Sequence, residues 1–487
     1  MYDTLSRCKL RYYLYSCSSL PSGQSADWVH VPESYRPLVC RDEYTNNGDD
    51  GDDDNHTNQS HSNHHSHFLR DPVAFDFLAT DAATDLMILT ALAQHPLRTP
   101  DAAQADFFLL PLSPAHVKLH YWQKHQQQQQ SQQQKGQQQK GQPPNKHAST
   151  ASPSDTHPEQ AAFYDWFIRN WQQHPYHQQG HRHIIVSTWW GLFEHRLLRY
   201  AKFRSDALVA HYDDAFWNVT VAHVKNRRGI QQLFHAKPPR TDFQPWFAYE
   251  RISLTRSQFS LGNIPPPHSV PFRPASYDRF RHAAHVWFYH VRNTTFWTRH
   301  STDFRRAALQ PHVRQQLPPS SSMGYGLPRD EWQRQFANAQ FCLVVRGDDP
   351  NSHSLLRAVK VGCLPVVVSD ALPWYAPTLP RSLHLSDYTI AIPEATFLQN
   401  PLAALLNVTQ LSASYLHDKM QALAWAQRVA LPDHPHSLFV PAFLREAEYA
   451  MEQALLFHAA RDYHHQQPSH RRRRKDGVVP PSNPPLE

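Results

Sequence analysis

Between two apolar stretches the sequence carries Arg346, Gly347, Asp348, Asp349, Pro350, Asn351 and Ser352. Phe341 to Val345 reads as a buried strand, and a helix opening near Ser352 presents Leu355, Leu356, Val359 and Val361 to a sheet. A strand that turns directly into a helix leaves the first helical N–H groups without partners and adds the positive end of the helix dipole, which suits a diphosphate. Gly347 lets the backbone approach such a ligand, and Arg346 can offer its oxygens a bidentate contact. Gly362 ends the helix, and Cys363 to Val368 follows as a neighbouring parallel strand. Ser369 and Asp370 then stand at its carboxyl end, the edge where open parallel sheets bind ligands. Taken alone, the same residues also describe an ordinary turn of an α/β protein.

Helices and strands must alternate along the chain to build that sheet. Leu10 to Tyr15, Asp106 to Leu110, His183 to Ser187, His285 to Val291 and Phe341 to Val345 read as strands. Helical spacing covers Asp76 to Leu97, Ala161 to Trp171, Thr302 to Leu309, Glu331 to Ala339, Leu416 to Ala430 and Pro441 to Leu456, with a further helical region after Leu192. The pattern predicts parallel sheets with right-handed crossovers. At 487 residues the chain exceeds one core, and two lobes fit. Pro238 to Pro274, rich in proline and aromatics, is the expected passage between them.

Two polar stretches, about 46–67 and 123–158, read as disordered insertions, the second built on the Gln126 to Gln142 run. Asp49, Asp50, Asp52, Asp53 and Asp54 lie in the first, where no rigid frame is foreseen, so no metal site is expected there. Arg471 to Lys475 accounts for most of the net charge of +6 and reads as a solvated tail, with no nucleic-acid partner expected. Five cysteines are too few and scattered for a disulfide scaffold, and no CxxC pair suggests zinc. Cys342 and Cys363 sit on strands expected to be adjacent, as a disulfide or as two buried thiols. Asn55, Asn58, Asn218, Asn293 and Asn407 begin N-glycosylation sequons. No stretch reaches the ~20 apolar residues of a membrane span.

The wording FCLVVRGDDPNSHSLLRAVKVGCLPVVVSD resembles the exostosin-like glycosyltransferases, glycosyltransferase family 47. That family has a Phe-Cys-Leu strand, Arg-Gly-Asp, Pro and Ser, a helix, then Gly-Cys-Ile-Pro-Val. Arg98 to Pro111, Pro175 to Gly191 and Arg11 to Pro21 are similar to earlier stretches of the family, more faintly. The resemblance spans about residues 10–430. It implies a GT-B fold of two Rossmann-like lobes facing a central cleft. Residues 1–275 would form the acceptor-side lobe and 276–430 the nucleotide-sugar lobe, followed by closing helices over 431–463 and a disordered tail over 464–487. It also implies inverting transfer from a UDP-sugar to a glycan acceptor in the Golgi lumen. The UDP-sugar is a co-substrate, and no cofactor or metal is expected. A membrane anchor preceding the present Met1 and complexes with other glycosyltransferases belong to the same expectation.

The donor residues it indicates are Arg346, Gly347, Asp348, Asp349, Ser352, Arg357 and Ser369. Arg357 departs from the family, which usually has an acidic residue there to accept ribose hydroxyls, and Arg only donates. Asp349 or Ser369 would have to compensate. The catalytic base is open among Glu194, Asp106, His181 and His183, and Trp189 and Trp190 could stack a sugar or fill the core. Two other classes stay open. One is an inactive family member that binds glycan or partners a transferase, suggested by Arg357; the other is an intracellular regulatory protein, suggested by the Gln run and the basic tail.

Overall fold

The computed structural model describes residues 5, 7–15, 31–39, 72–139, 158–188, 197, 200, 206–211, 258–266, 269–291, 305–346, 352–370, 372–375 and 377–466. Among these, ten strands form two parallel sheets of five. The first sheet runs in sequence order through β1 (Tyr12–Leu14), β2 (Phe107–Leu109), β3 (His183–Val186), β4 (Leu208–His211) and β5 (Gln258–Ser260). Helices α1 (Pro72–Gln94), α2 (Pro114–Gln139) and α3 (Pro158–Gln173) belong to its crossovers. Because both faces are covered, these strands read as continuous apolar runs. Tyr12, Leu14, Phe107 and Val186 pack with Ile88 and Leu92 of α1. Tyr13, Phe108, Ile185 and Val209 turn the other way, onto Tyr121 of α2 and Phe163, Phe167 and Trp171 of α3.

The second sheet has the order β10-β9-β8-β6-β7. Its strands are β6 (His285–Val291), β7 (Ser322–Tyr325), β8 (Ala339–Val345), β9 (Leu364–Val368) and β10 (Ile390–Ala391). Around it lie α4 (Tyr277–Arg281), α5 (Pro311–Gln316), α6 (Arg329–Phe336), α7 (Ser354–Val361), α8 (Glu394–Gln399), α9 (Pro401–Thr409), α10 (Ala413–Ala430) and α11 (Phe439–Gln466). Gly362 closes α7 at φ +67°, and a Cβ there would lie 2.9 Å from the Arg273 carbonyl oxygen, so the stop needs glycine. Helix α11 returns to the first sheet, where Phe443 meets Phe259 edge-on at 5.2 Å between ring centroids.

The Gln run is a correction to the sequence reading. Residues 123–139, expected to be disordered, continue α2 as far as Gln139. Ser113 accepts the His116 N–H at 3.0 Å, and Val117 and Tyr121 bury the first turns, which meets the cost of nucleation. Glutamine is a good helix former and extends the helix at little cost. Helix α11 likewise runs through His464 to Gln466, into the stretch expected to be a disordered tail. Residues 46–67, 140–157 and 467–487 lie outside the described residues. Strands β4, β5 and β7 were not foreseen. Each has three or four residues, too short for a periodicity to show.

Candidate functional site

The strand order places a crevice in the second sheet. Strand β6 connects to β7 on one side, and β8 connects through α7 to β9 on the other. The chain therefore leaves the carboxyl ends of β6 and β8 in opposite directions, and a gap opens where ligands of parallel sheets bind. Arg346 follows the last residue of β8, with its backbone N–H donating to Val368 of β9 at 3.1 Å. Gly347, Asp348 and Asp349 lie outside the described residues.

Arg346 is 7% exposed, and its Nε lies 3.2 Å from Oε1 of Glu394, an ion pair whose N–H is not aimed along the contact. Glu394 opens α8 just after β10 and is also buried. Its Oε1 accepts the Asp370 N–H at 3.1 Å, and Asp370 Oδ1 accepts the Glu394 N–H at 3.1 Å. Burial pushes the Glu394 carboxyl up, the Arg346 charge pulls it back, and Asp370 raises it again. Ser369 is buried beside this group, at the end of β9. Glu394 was missed from sequence. The available signal was an acid in the first turn of a helix one strand beyond β9.

At the mouth of α7, Ser352 Oγ accepts the Ser354 N–H at 3.3 Å, and the first turn of the helix has no acidic residue. His353 has its pKa pushed down to about 3 by burial, then by Arg357 and Arg305. Arg305 follows β6, and its carbonyl accepts the Tyr289 hydroxyl at 3.3 Å. Residues from both sides of the crevice thus share one positive field with a helix N-terminus, an arrangement suited to an anion. Arg346, Ser352, Arg357 and Ser369, named from sequence, all belong to this sheet edge or to the helix that starts there.

The two carboxyl edges meet. Ser260 ends β5, and its carbonyl accepts the Leu379 N–H at 3.2 Å. Thr84 Oγ1 of α1 donates to the Ile264 carbonyl at 3.2 Å nearby. The family model of the Exostosin GT47 domain matches residues 7–408. The chain belongs to this family. Among curated proteins none matches it. The two parallel sheets are accordingly the two lobes of a GT-B fold, and the activity class is glycosyl transfer.

In this exostosin-family chain three of the sequence candidates for the base, Asp106, His181 and His183, lie at the amino end of the first sheet. Asp106 precedes β2 and accepts the Arg11 N–H at 2.7 Å. His181 and His183 precede or begin β3. His183 is fully buried, stands 2.8 Å from the Tyr15 hydroxyl and 3.0 Å from the Gln179 carbonyl, and burial pushes its pKa down to about 3. It is a neutral core histidine. Glu194, Trp189 and Trp190 are outside the described residues.

At the carboxyl edge of that sheet Asp85 of α1 is fully buried, as is His211 at the end of β4. Asp85 Oδ2 accepts Ser113 Oγ at 2.7 Å, and Oδ1 accepts the Thr188 N–H at 2.7 Å and hydroxyl at 2.8 Å. Burial raises its pKa to about 6, against those bonds and the nearby His211. Asp85 thus ties the ends of β2 and β3 to α1. Sequence reading placed it only within a helix.

Cys342 of β8 and Cys363 before β9 form a disulfide with Cα atoms 5.8 Å apart. Gln427 of α10 holds the far end of α7, donating to the Val359 carbonyl and accepting the Ala275 N–H at 2.9 Å. Asn407 is exposed on α9, while Asn55, Asn58, Asn218 and Asn293 lie outside the described residues, as do Asp49 to Asp54.

Proposed function

We propose that the chain transfers a sugar from a UDP-sugar to a hydroxyl of a glycan acceptor, with inversion and without a metal or cofactor, in polysaccharide or glycoprotein glycan synthesis. The crevice between the ends of β6 and β8, with Arg346 at the end of β8 and with Arg357 and Arg305 acting on His353 at a helix N-terminus, carries the reading. There the diphosphate would leave as the acceptor oxygen attacks the anomeric carbon from the opposite face. The C–O bond to phosphate breaks, charge grows on the departing oxygen, and the fixed positive groups offset it. A base on the acceptor side takes the hydroxyl proton.

The Golgi lumen is the compartment we infer. A disulfide persists in oxidising compartments, and an exposed sequon at Asn407 is usable there. A second reading, an inactive member that binds glycan or assists another transferase, draws on Arg357, which cannot accept ribose hydroxyls.

Calorimetric titration with UDP, with and without chelator, tests the first reading. Chelator-insensitive binding is expected, and Arg346→Ala should cost on the order of 2 kcal/mol of it. No binding of any nucleotide by the purified protein would sink the donor-site reading. Turnover of a UDP-sugar by the natural sequence, beside an Arg357→Glu variant, would remove the inactive one.

A further inference from the structure

We propose that Glu394 is the positioning residue of the donor site, fixing the Arg346 guanidinium toward a diphosphate; this rests on the donor reading above. Three strand ends converge on its carboxylate. Arg346 comes from β8, Asp370 from β9, and Glu394 itself from the end of β10. With Asp370 it makes a reciprocal clasp, each carboxylate accepting the other's backbone N–H at 3.1 Å. That clasp pins the β9 and β10 ends together in the manner of a capping box.

The contact with Arg346 is additional to the clasp and is the functional part. Arg346 is 7% exposed, and a guanidinium so far removed from water is costly unless an anion lies beside it. The Glu394 carboxylate, 3.2 Å from Nε, holds the rigid guanidinium in place at the end of β8 by charge attraction rather than by an aligned Nε–H bond. A diphosphate in the crevice then meets an arginine whose ordering has already occurred, which is where preorganisation gains affinity.

Glu394→Gln separates the two roles. The amide oxygen can still accept the Asp370 N–H, so the clasp survives, but the charge facing Arg346 is gone. The variant should bind UDP about tenfold more weakly while its binding of uridine, followed by ligand-observed NMR, stays unchanged. Added to Arg346→Ala it should cost nothing more, because the residue acts through that arginine. Wild-type or tighter UDP binding in Glu394→Gln would overturn the proposal, the tighter case marking Glu394 as a competitor of phosphate. Equal losses for UDP and uridine, or additive losses with Arg346→Ala, would overturn it too, as a general loosening of the edge. If the natural protein binds no nucleotide the donor reading fails first and takes this proposal with it, an outcome distinct from normal binding by the natural protein and an unaffected variant.

Discussion

Leu379 donates its backbone N–H to the Ser260 carbonyl at 3.2 Å while holding φ at +43°, so the junction between the two sheets is made by a fully buried leucine in a left-handed conformation. Such a backbone costs a non-glycine residue about 1–2 kcal/mol and persists because the surroundings hold it. Two residues beyond Ser260, Gly262 stands at φ +69° against the Thr378 side chain.

Gly262→Ala should therefore lower stability by about 2 kcal/mol, combining left-handed strain with the collision against Thr378. Adding Thr378→Ala should return part of the loss, since the hydroxyl is the nearest obstacle. Urea unfolding of the two variants measures both effects, and an unperturbed Gly262→Ala would mean the edges are not so closely joined.

The Cys342 to Cys363 bridge closes a sequence separation of 21 residues around α7. Loop-closure entropy predicts that removing it, as Cys342→Ser with Cys363→Ser, costs about 3 kcal/mol. Thermal melts with and without reductant should show the difference in the natural protein only.

Asp85 makes stability depend on pH. Its pKa is raised to about 6 by burial, above the usual carboxylate value. Its contribution is therefore fully present below about pH 4 and is lost as pH rises through 6, by on the order of 3 kcal/mol. Asp85→Asn should flatten that segment of the stability profile, read from urea midpoints between pH 4 and 7. An unchanged profile would show that the carboxylate is charged throughout.

Asp106 sits at the amino end of β2, away from the facing carboxyl edges. Asp106→Asn should leave the rate of transfer within about threefold, the range of an exposed structural substitution. A loss of orders of magnitude would return Asp106 to the list of bases.

Asn407 projects from α9 into solvent. In protein secreted from eukaryotic cells, Asn407→Gln should increase gel mobility by one glycan step, and glycosidase treatment should erase the difference. Identical mobilities before treatment would mean the site is not used.

The sequence alone determined the strand from Phe341 to Val345 and the helix ending at Gly362, because a fully buried parallel strand and an amphipathic helix ending in glycine each leave a local trace. The family wording runs on to Asp370, so the family was legible before any fold was known. Helix α2 went unread, and its part beyond Trp122 was taken for disorder because composition reports that Gln cannot bury itself, whereas packing of Val117 and Tyr121 nucleates the helix. Only the tertiary structure brought Glu394 to Arg346 and Asp85 to Ser113 and Thr188, across 48, 28 and 103 residues. It also decided that Asp106 and His183 stand at the wrong end of their strands. Which acid meets which partner depends on strand order and direction, and those are fixed by long-range burial that no local pattern encodes.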